Sequence, residues 1–255
     1  NGRIPIVSVT GTNGKTIVCW LVQRMLSASG LRTGLTTSDG VYMNERQIAT
    51  GDCAGPRSAR NVLINPLAEA AVFECGRGGI LREGLGFDHC DIAVVTNIAT
   101  GDHLGDYWVN SLEKLYSVKR CAVDVVLPSG FAVLNADDPM VAEMASLSRG
   151  GVIFFSTRSD NPVVTAHRAK GGRAVIVRDG WLALATGSEE AALLSLSEIP
   201  CTHNGSIACQ VENCAAATAA AWGLQIEPRL IQQVLRGFQG NLCDSPGRLN
   251  WLDWD

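Results

Sequence analysis

Three observations in this 255-residue chain predict an α/β fold: a mostly parallel sheet with helices on both faces and a small antiparallel sub-sheet. Short apolar, β-branched runs alternate with longer runs of helical spacing, the pattern of a parallel sheet wrapped by helices. One junction is a glycine-bounded loop, GTNGKT, that joins a strand directly to a helix. Further on, the texture changes to short strand-like runs split by Gly-Gly and Asp-Gly, which favour hairpins.

Residues 4–10 (IPIVSVT) read as a buried strand. Over 17–29, Val18, Leu21, Val22, Met25 and Leu26 share one helical face, and Gly30 ends the run. Residues 70–74 and 91–96 read as buried strands, 112–122 as a helix, 131–134 as a strand, 139–147 as a helix and 152–155 as a strand. The runs 163–165, 174–177 and 181–184 read as the antiparallel sub-sheet, placed within 161–187. Helices return over 207–222 and 228–238.

Composition narrows the partners. The net charge is -4, and lysines and arginines form no long run, which argues against a nucleic-acid partner. No apolar stretch reaches the roughly 18 residues that a membrane span needs. Nine cysteines, an odd number without a CxxC pair, sit mostly in apolar runs. Reduced, buried thiols in a cytoplasmic protein are expected. The start at Asn1 and the stop in WLDWD read as cuts in a longer chain.

The loop Gly11, Thr12, Asn13, Gly14, Lys15, Thr16 carries the clearest chemistry. Its glycines let backbone N–H groups face a phosphate chain. Lys15 can neutralise phosphate oxygens, Thr16 can ligate Mg²⁺, and the helix start adds a favourable dipole. Val9 stands where the common GxxxxGK[ST] pattern has glycine. Glu74 ends the apolar strand AVFE, where a carboxylate suits Mg²⁺ if it faces the ligand crevice. A partly exposed strand-end acid fits that pattern equally well. His103 alone reads as a polar loop residue, and Lys119 alone as a solvated face of its helix.

Together these segments resemble the Mur ligase family: TGTNGKT, the TN…DHL segment that contains His103, the E-x-x-x-x-x-K of Glu113 to Lys119, VLNADDP at 133–139, ENCAA at 212–216 and PGR at 246–248. The finer resemblance is to the C-terminal half of the cyanophycin synthetases, through 37–42 (TSDGVY), 51–60 (GDCAGPRSAR) and 77–88 (RGGILREGLGFD). Departures are Ile17 and Val18, where threonines usually follow the loop, Cys75 and Gly76 after the glutamate, and Cys209 at a customary histidine.

The resemblance implies an ATP-binding central domain over 1–244, with 245–255 as the start of a further domain. It implies an ATP-dependent ligase that joins arginine to the β-carboxyl of aspartate in an aspartate-rich polymer, through an acyl phosphate. It assigns one Mg²⁺ to Thr16 and Glu74 and a second to His103 and a carbamylated Lys119. Lys15 contacts the moving phosphoryl, Asn213 the adenine and Arg248 a phosphate. Lys114 competes with Lys119, but its spacing does not fit. A homo-oligomer is expected of the full-length protein. Two alternatives stay open: another ligase of this family, of folylpolyglutamate or cell-wall type, and a nucleotide-binding module inactive without its C-terminal domain. Arginines of 55–60 and 77–82 either hold an acidic polymer or serve in helix capping and surface ion pairs.

Overall fold

The computed structural model describes residues 4–99 and 108–240. Its strands are β1 (Ile6–Thr10), β2 (Thr33–Thr37), β3 (Gly40–Met43), β4 (Arg46–Thr50), β5 (Ala70–Glu74), β6 (Cys90–Val95), β7 (Val126–Asn135), β8 (Gly151–Ser156), β9 (Arg173–Arg178), β10 (Trp181–Thr186) and β11 (Glu189–Ser195). All belong to one sheet in the order β11-β10-β9-β8-β7-β6-β1-β5-β2-β3-β4. The strands from β9 through β1 to β2 are mutually parallel. An antiparallel ribbon extends each edge: β3 and β4 at one, β10 and β11 at the other.

The helices are α1 (Lys15–Ala28), α2 (Pro56–Leu63), α3 (Arg77–Glu83), α4 (Leu112–Lys119), α5 (Cys121–Asp124), α6 (Pro139–Glu143), α7 (Pro162–Arg168), α8 (Ala208–Gly223) and α9 (Pro228–Gly237). Strand side chains alternate between the sheet's faces. Val7, Val9 and Val94 pack with α1, α8 and α9, whereas Ile6 and Ala93 pack with α2 and α3 on the other face. Leu134 and Phe154 pack there too, with α4, α6 and α7. Helix α1 is buried nearly all round because the sheet, α8 and α9 enclose it. It is therefore held rigidly, and the loop that precedes it starts from a fixed base.

The predicted strand at 163–165 is part of α7. Pro162 occupies the first helical turn, and the Asn161 Oδ1 accepts from the backbone N–H groups of Val163 and Val164 at 2.9 and 3.2 Å. This cap satisfies helix-start donors that a strand would send sideways, and it overrides the β-branched run. Gly171 and Gly172 follow that helix instead of turning a hairpin. The Asp179-Gly180 turn does join β9 to antiparallel β10, with both residues at positive φ (51° and 78°). These strands continue the main sheet, since β9 pairs in parallel with β8.

The run 112–122 divides into α4 and α5 at Arg120, and 139–147 ends in a tighter 3₁₀ turn over Met144–Leu147. No element was predicted for β2 to β4, α2, α3 or β11. Strand β4 is exposed at every position, so it lacks the alternation that marks a strand. Among the described residues no helix is long and apolar enough to cross a membrane. The eight cysteines described are free thiols, as expected, and Cys243 lies outside the described residues.

Candidate nucleotide-phosphate site

Glycines shape the loop between β1 and α1. Gly11 and Gly14 have φ of 147° and 85°. A Cβ on Gly11 would stand 1.8 Å from Thr96 Oγ1, and one on Gly14 would stand 2.2 Å from Asn213 Oδ1. Gly14 caps α1, no side chain bonds the helix start, and its first turn carries no acid. The positive dipole end of α1, with no side-chain cap and no acid in its first turn, therefore favours an anion. Lys15 folds back over the loop, its Nζ donating to the carbonyls of Gly11 (3.0 Å) and Thr12 (2.9 Å).

Parallel pairing sets Val9 opposite Glu74, so the end of β5 lies beside the loop. The Thr16 hydroxyl donates to Glu74 Oε2 at 2.9 Å, and the Ser38 backbone N–H donates to the same oxygen at 3.1 Å. Glu74 is 4% exposed and Thr16 5%, so the exposed strand-end reading of Glu74 falls away. A buried carboxylate and a hydroxyl in contact at the head of a phosphate-type loop are hard oxygen donors that suit Mg²⁺. Among the described residues no three His, Cys, Asp or Glu side chains gather as a protein-only metal site. The neighbouring Cys75 is no competing nucleophile. Burial pushes its thiol up to about 12.

The segment after β6 is tied to the loop. The Thr12 N–H donates to the Asn97 carbonyl, Asn13 N–H to Asn97 Oδ1, and Thr96 Oγ1 to the Asn13 carbonyl, at 2.9, 2.9 and 2.6 Å. From the other side, Asn135 Nδ2 donates to the Thr96 carbonyl at 2.9 Å, and Asp138 Oδ2 accepts from Ile98 N–H at 2.7 Å. This is a structural task for the NADD motif. Ser38, Thr96 and Asn97 fall within the quoted motifs but were given no role of their own, because what they do is hold the loop rather than present a charged or metal-binding group. The available signal was position alone: each follows the carboxyl end of a parallel strand.

Helix α8 supplies the wall beside Gly14. Asn213 is buried there, and its Nδ2 donates to Gln210 Oε1 at 3.1 Å. Glu212 stands nearby. Burial first, then the charges of Asp137 and Asp138, raise its pKa above the ordinary carboxylate value. Burial works against the Asp137 carboxylate too, but hydrogen bonds from Ser156, Thr157 and Asn161 outweigh it and lower the pKa.

Lys119 is 1% exposed, among the largest fully buried side chains, whereas Lys114 is exposed and donates to the Trp108 carbonyl. Burial removes the solvated-face reading of Lys119, since a buried lysine needs a partner or a changed charge. His103 and Arg248 lie outside the described residues. Arg57 and Arg60 both pair with Glu83, at 2.9 and 3.2 Å, on the surface between α2 and α3. For these two the ion-pair reading holds.

Comparison with known proteins agrees with this geometry. The model of the Mur ligase middle domain matches residues 9–221. A cyanophycin synthetase of Geminocystis herdmanii is 39% identical over 98% of this chain, and one of Synechocystis sp. is 41% identical over 97%. The chain spans only 29% and 28% of their lengths. The solved structure of UDP-N-acetylmuramoyl-L-alanyl-D-glutamate–2,6-diaminopimelate ligase superposes with a TM-score of 0.68. It covers 92% of this chain and 46% of that one at 20% identity, a likeness of fold. The chain belongs to the Mur ligase family, as a middle domain.

Proposed function

We propose that this chain is the ATP-binding middle domain of an ATP-dependent ligase that forms a carbon–nitrogen bond. The observation that carries the reading is the Thr16–Glu74 contact at the start of α1, a Mg²⁺-ready pair beside an anion-ready helix end. Lys15, released from the Gly11 and Thr12 carbonyls, follows the transferred phosphoryl group and offsets its charge. The loop N–H groups orient the phosphate chain, and Asn213 meets the base. Thr16 and Glu74 hold one Mg²⁺, while His103 and a carbamylated Lys119 hold a second. When bound, Mg²⁺ neutralises phosphate oxygens and aligns them for transfer.

The finer reading follows the relatives. Phosphorylation of an aspartate β-carboxyl in an aspartate-rich polymer gives an acyl phosphate. The α-amino group of arginine attacks it and releases phosphate. Because the chain spans under a third of those relatives, catalysis needs the rest of the protein, with 1–244 forming the middle domain, and the full-length protein is taken to be a cytoplasmic homo-oligomer.

ATP titration with Mg²⁺, comparing the native protein with Lys15→Ala, tests the loop. Affinity is expected to fall at least about tenfold, or about 1.4 kcal/mol, and unchanged affinity overturns the assignment. ADP release by the full-length protein, with arginine and an aspartate-rich primer, tests the substrates. Release that needs a folate or muramyl substrate instead refutes the finer reading.

A further inference from the structure

Glu212 is a half-buried carboxylate on α8 that makes no hydrogen bond or ion pair among the described residues. Its surroundings disfavour it. Burial and the charges of Asp137 and Asp138 all work against its ionised form, and an unpaired charge in such a place lowers stability. The two neighbours are engaged elsewhere. Asp137 accepts from Ser156, Thr157, Arg158 and Asn161, and Asp138 from the N–H groups of Ile98, Met140 and Val141. Neither offers Glu212 a donor, and among the described residues the three do not gather as a metal cage. A carboxylate kept unpaired at a cost points to a ligand that brings the missing donor.

Position says which ligand. Asn213, the next residue, stands against Gly14 of the loop, its Oδ1 2.2 Å from where a Cβ there would lie. Glu212 is set roughly 100° away round the helix, within the field of Asp137 and Asp138 just beyond the carboxyl end of β7. The two side chains border one sector of α8, over the strand ends where such sheets bind ligands. We infer that Glu212 is a specificity-determining residue that accepts a hydrogen bond from the exocyclic amine of the adenine base. The inference rests on the reading that Asn213 meets that base. The amine carries two N–H groups, so both residues can engage it at once. The N–H delivered to Glu212 favours the charged form and offsets what burial and the two aspartates take away. An ionised carboxylate accepts through either oxygen, so turning it changes nothing.

The experiment is a pair of Mg²⁺-nucleotide titrations on the full-length protein and its variants, with ATP and with purine riboside triphosphate, which lacks only the 6-amino group. The readout is the ratio of the two affinities, from which a general loss of binding cancels. Glu212→Met keeps a similar volume and removes the acceptor. The ratio is expected to fall at least about tenfold, the low end for a hydrogen bond to a charged group. Glu212→Gln keeps an acceptor without the charge. Its ratio is expected to fall about threefold, since a charged acceptor bonds about twice as strongly as a neutral one. An unchanged ratio in Glu212→Met overturns the inference. So does a loss shared equally by both nucleotides, which would place Glu212 on the ribose or the phosphates. If Glu212→Met does not fold, an unchanged ratio in Glu212→Gln overturns it instead. Asn213→Ala separates the two levels. If it lowers the ratio while Glu212→Met does not, only the role of Glu212 falls. If neither variant lowers it, the base lies elsewhere and both readings fall.

Discussion

Gly14→Ala is expected to destabilise the protein by about 2–5 kcal/mol, through two separable causes. The first is conformational. At φ 85° an alanine sits in the left-handed region, which costs an L-residue roughly 1–2 kcal/mol. The second is contact. The new methyl would stand 2.2 Å from Asn213 Oδ1, so the Asn213 amide must move. Moving it breaks the bond to Gln210 and leaves a buried acceptor without a donor, about 1–3 kcal/mol. Urea unfolding of the two single variants and of Gly14→Ala with Asn213→Ala separates the causes. Asn213→Ala alone is expected to cost about 1–3 kcal/mol for the same orphaned acceptor. In the double variant the clash has no target, so its cost should match that of Gly14→Ala alone. The coupling is then about 1–3 kcal/mol. Additive costs, to within about 0.5 kcal/mol, would show that the Asn213 contact is not what forbids a side chain. A cost below about 1 kcal/mol for Gly14→Ala would show that the loop does not hold its left-handed conformation.

Glu74→Gln retains an acceptor for Thr16 and Ser38, so folding should survive, while the gain in ATP affinity on adding Mg²⁺ should shrink about tenfold by calorimetry. Asp138→Ala leaves the N–H groups of Ile98, Met140 and Val141 without their acceptor. It should cost about 1–3 kcal/mol and speed amide exchange at Ile98. Glu212→Gln should raise stability at neutral pH. The folded protein raises this group's pKa, so the neutral form is favoured on folding and stability is lost as pH rises through the folded pKa. The variant's advantage should vanish below about pH 4, where Glu212 is protonated in both states.

Part of this molecule was legible because its sequence signals agreed with one another. A β-branched run, a glycine-bounded loop and an apolar helical stripe all placed β1, the loop and α1, and the register of β5 then set Glu74 where its strand-end position suggested. The misreading at 163–165 came from weighing β-branched residues above the cap before them. Asn161 and Pro162 spelled a helix start, and that local hydrogen bonding prevailed. Strand β4 was invisible for a different reason. It borrows its order from β3 and buries nothing of its own. Lys119 shows the limit of periodicity. Spacing placed it on a helix but could not say that the helix turns this cation inward, which depends on packing between α4 and elements far away in sequence.

The resting place of Lys15 bears on how fast the site can respond. A free lysine samples many rotamers, and confining one removes up to about 2 kcal/mol of conformational freedom. Here the ammonium lies against the carbonyls of Gly11 and Thr12 at the mouth of the loop. What remains at binding is a short swing from two neutral oxygens to charged ones. The cation is stowed within reach of its target, like a latch held half closed.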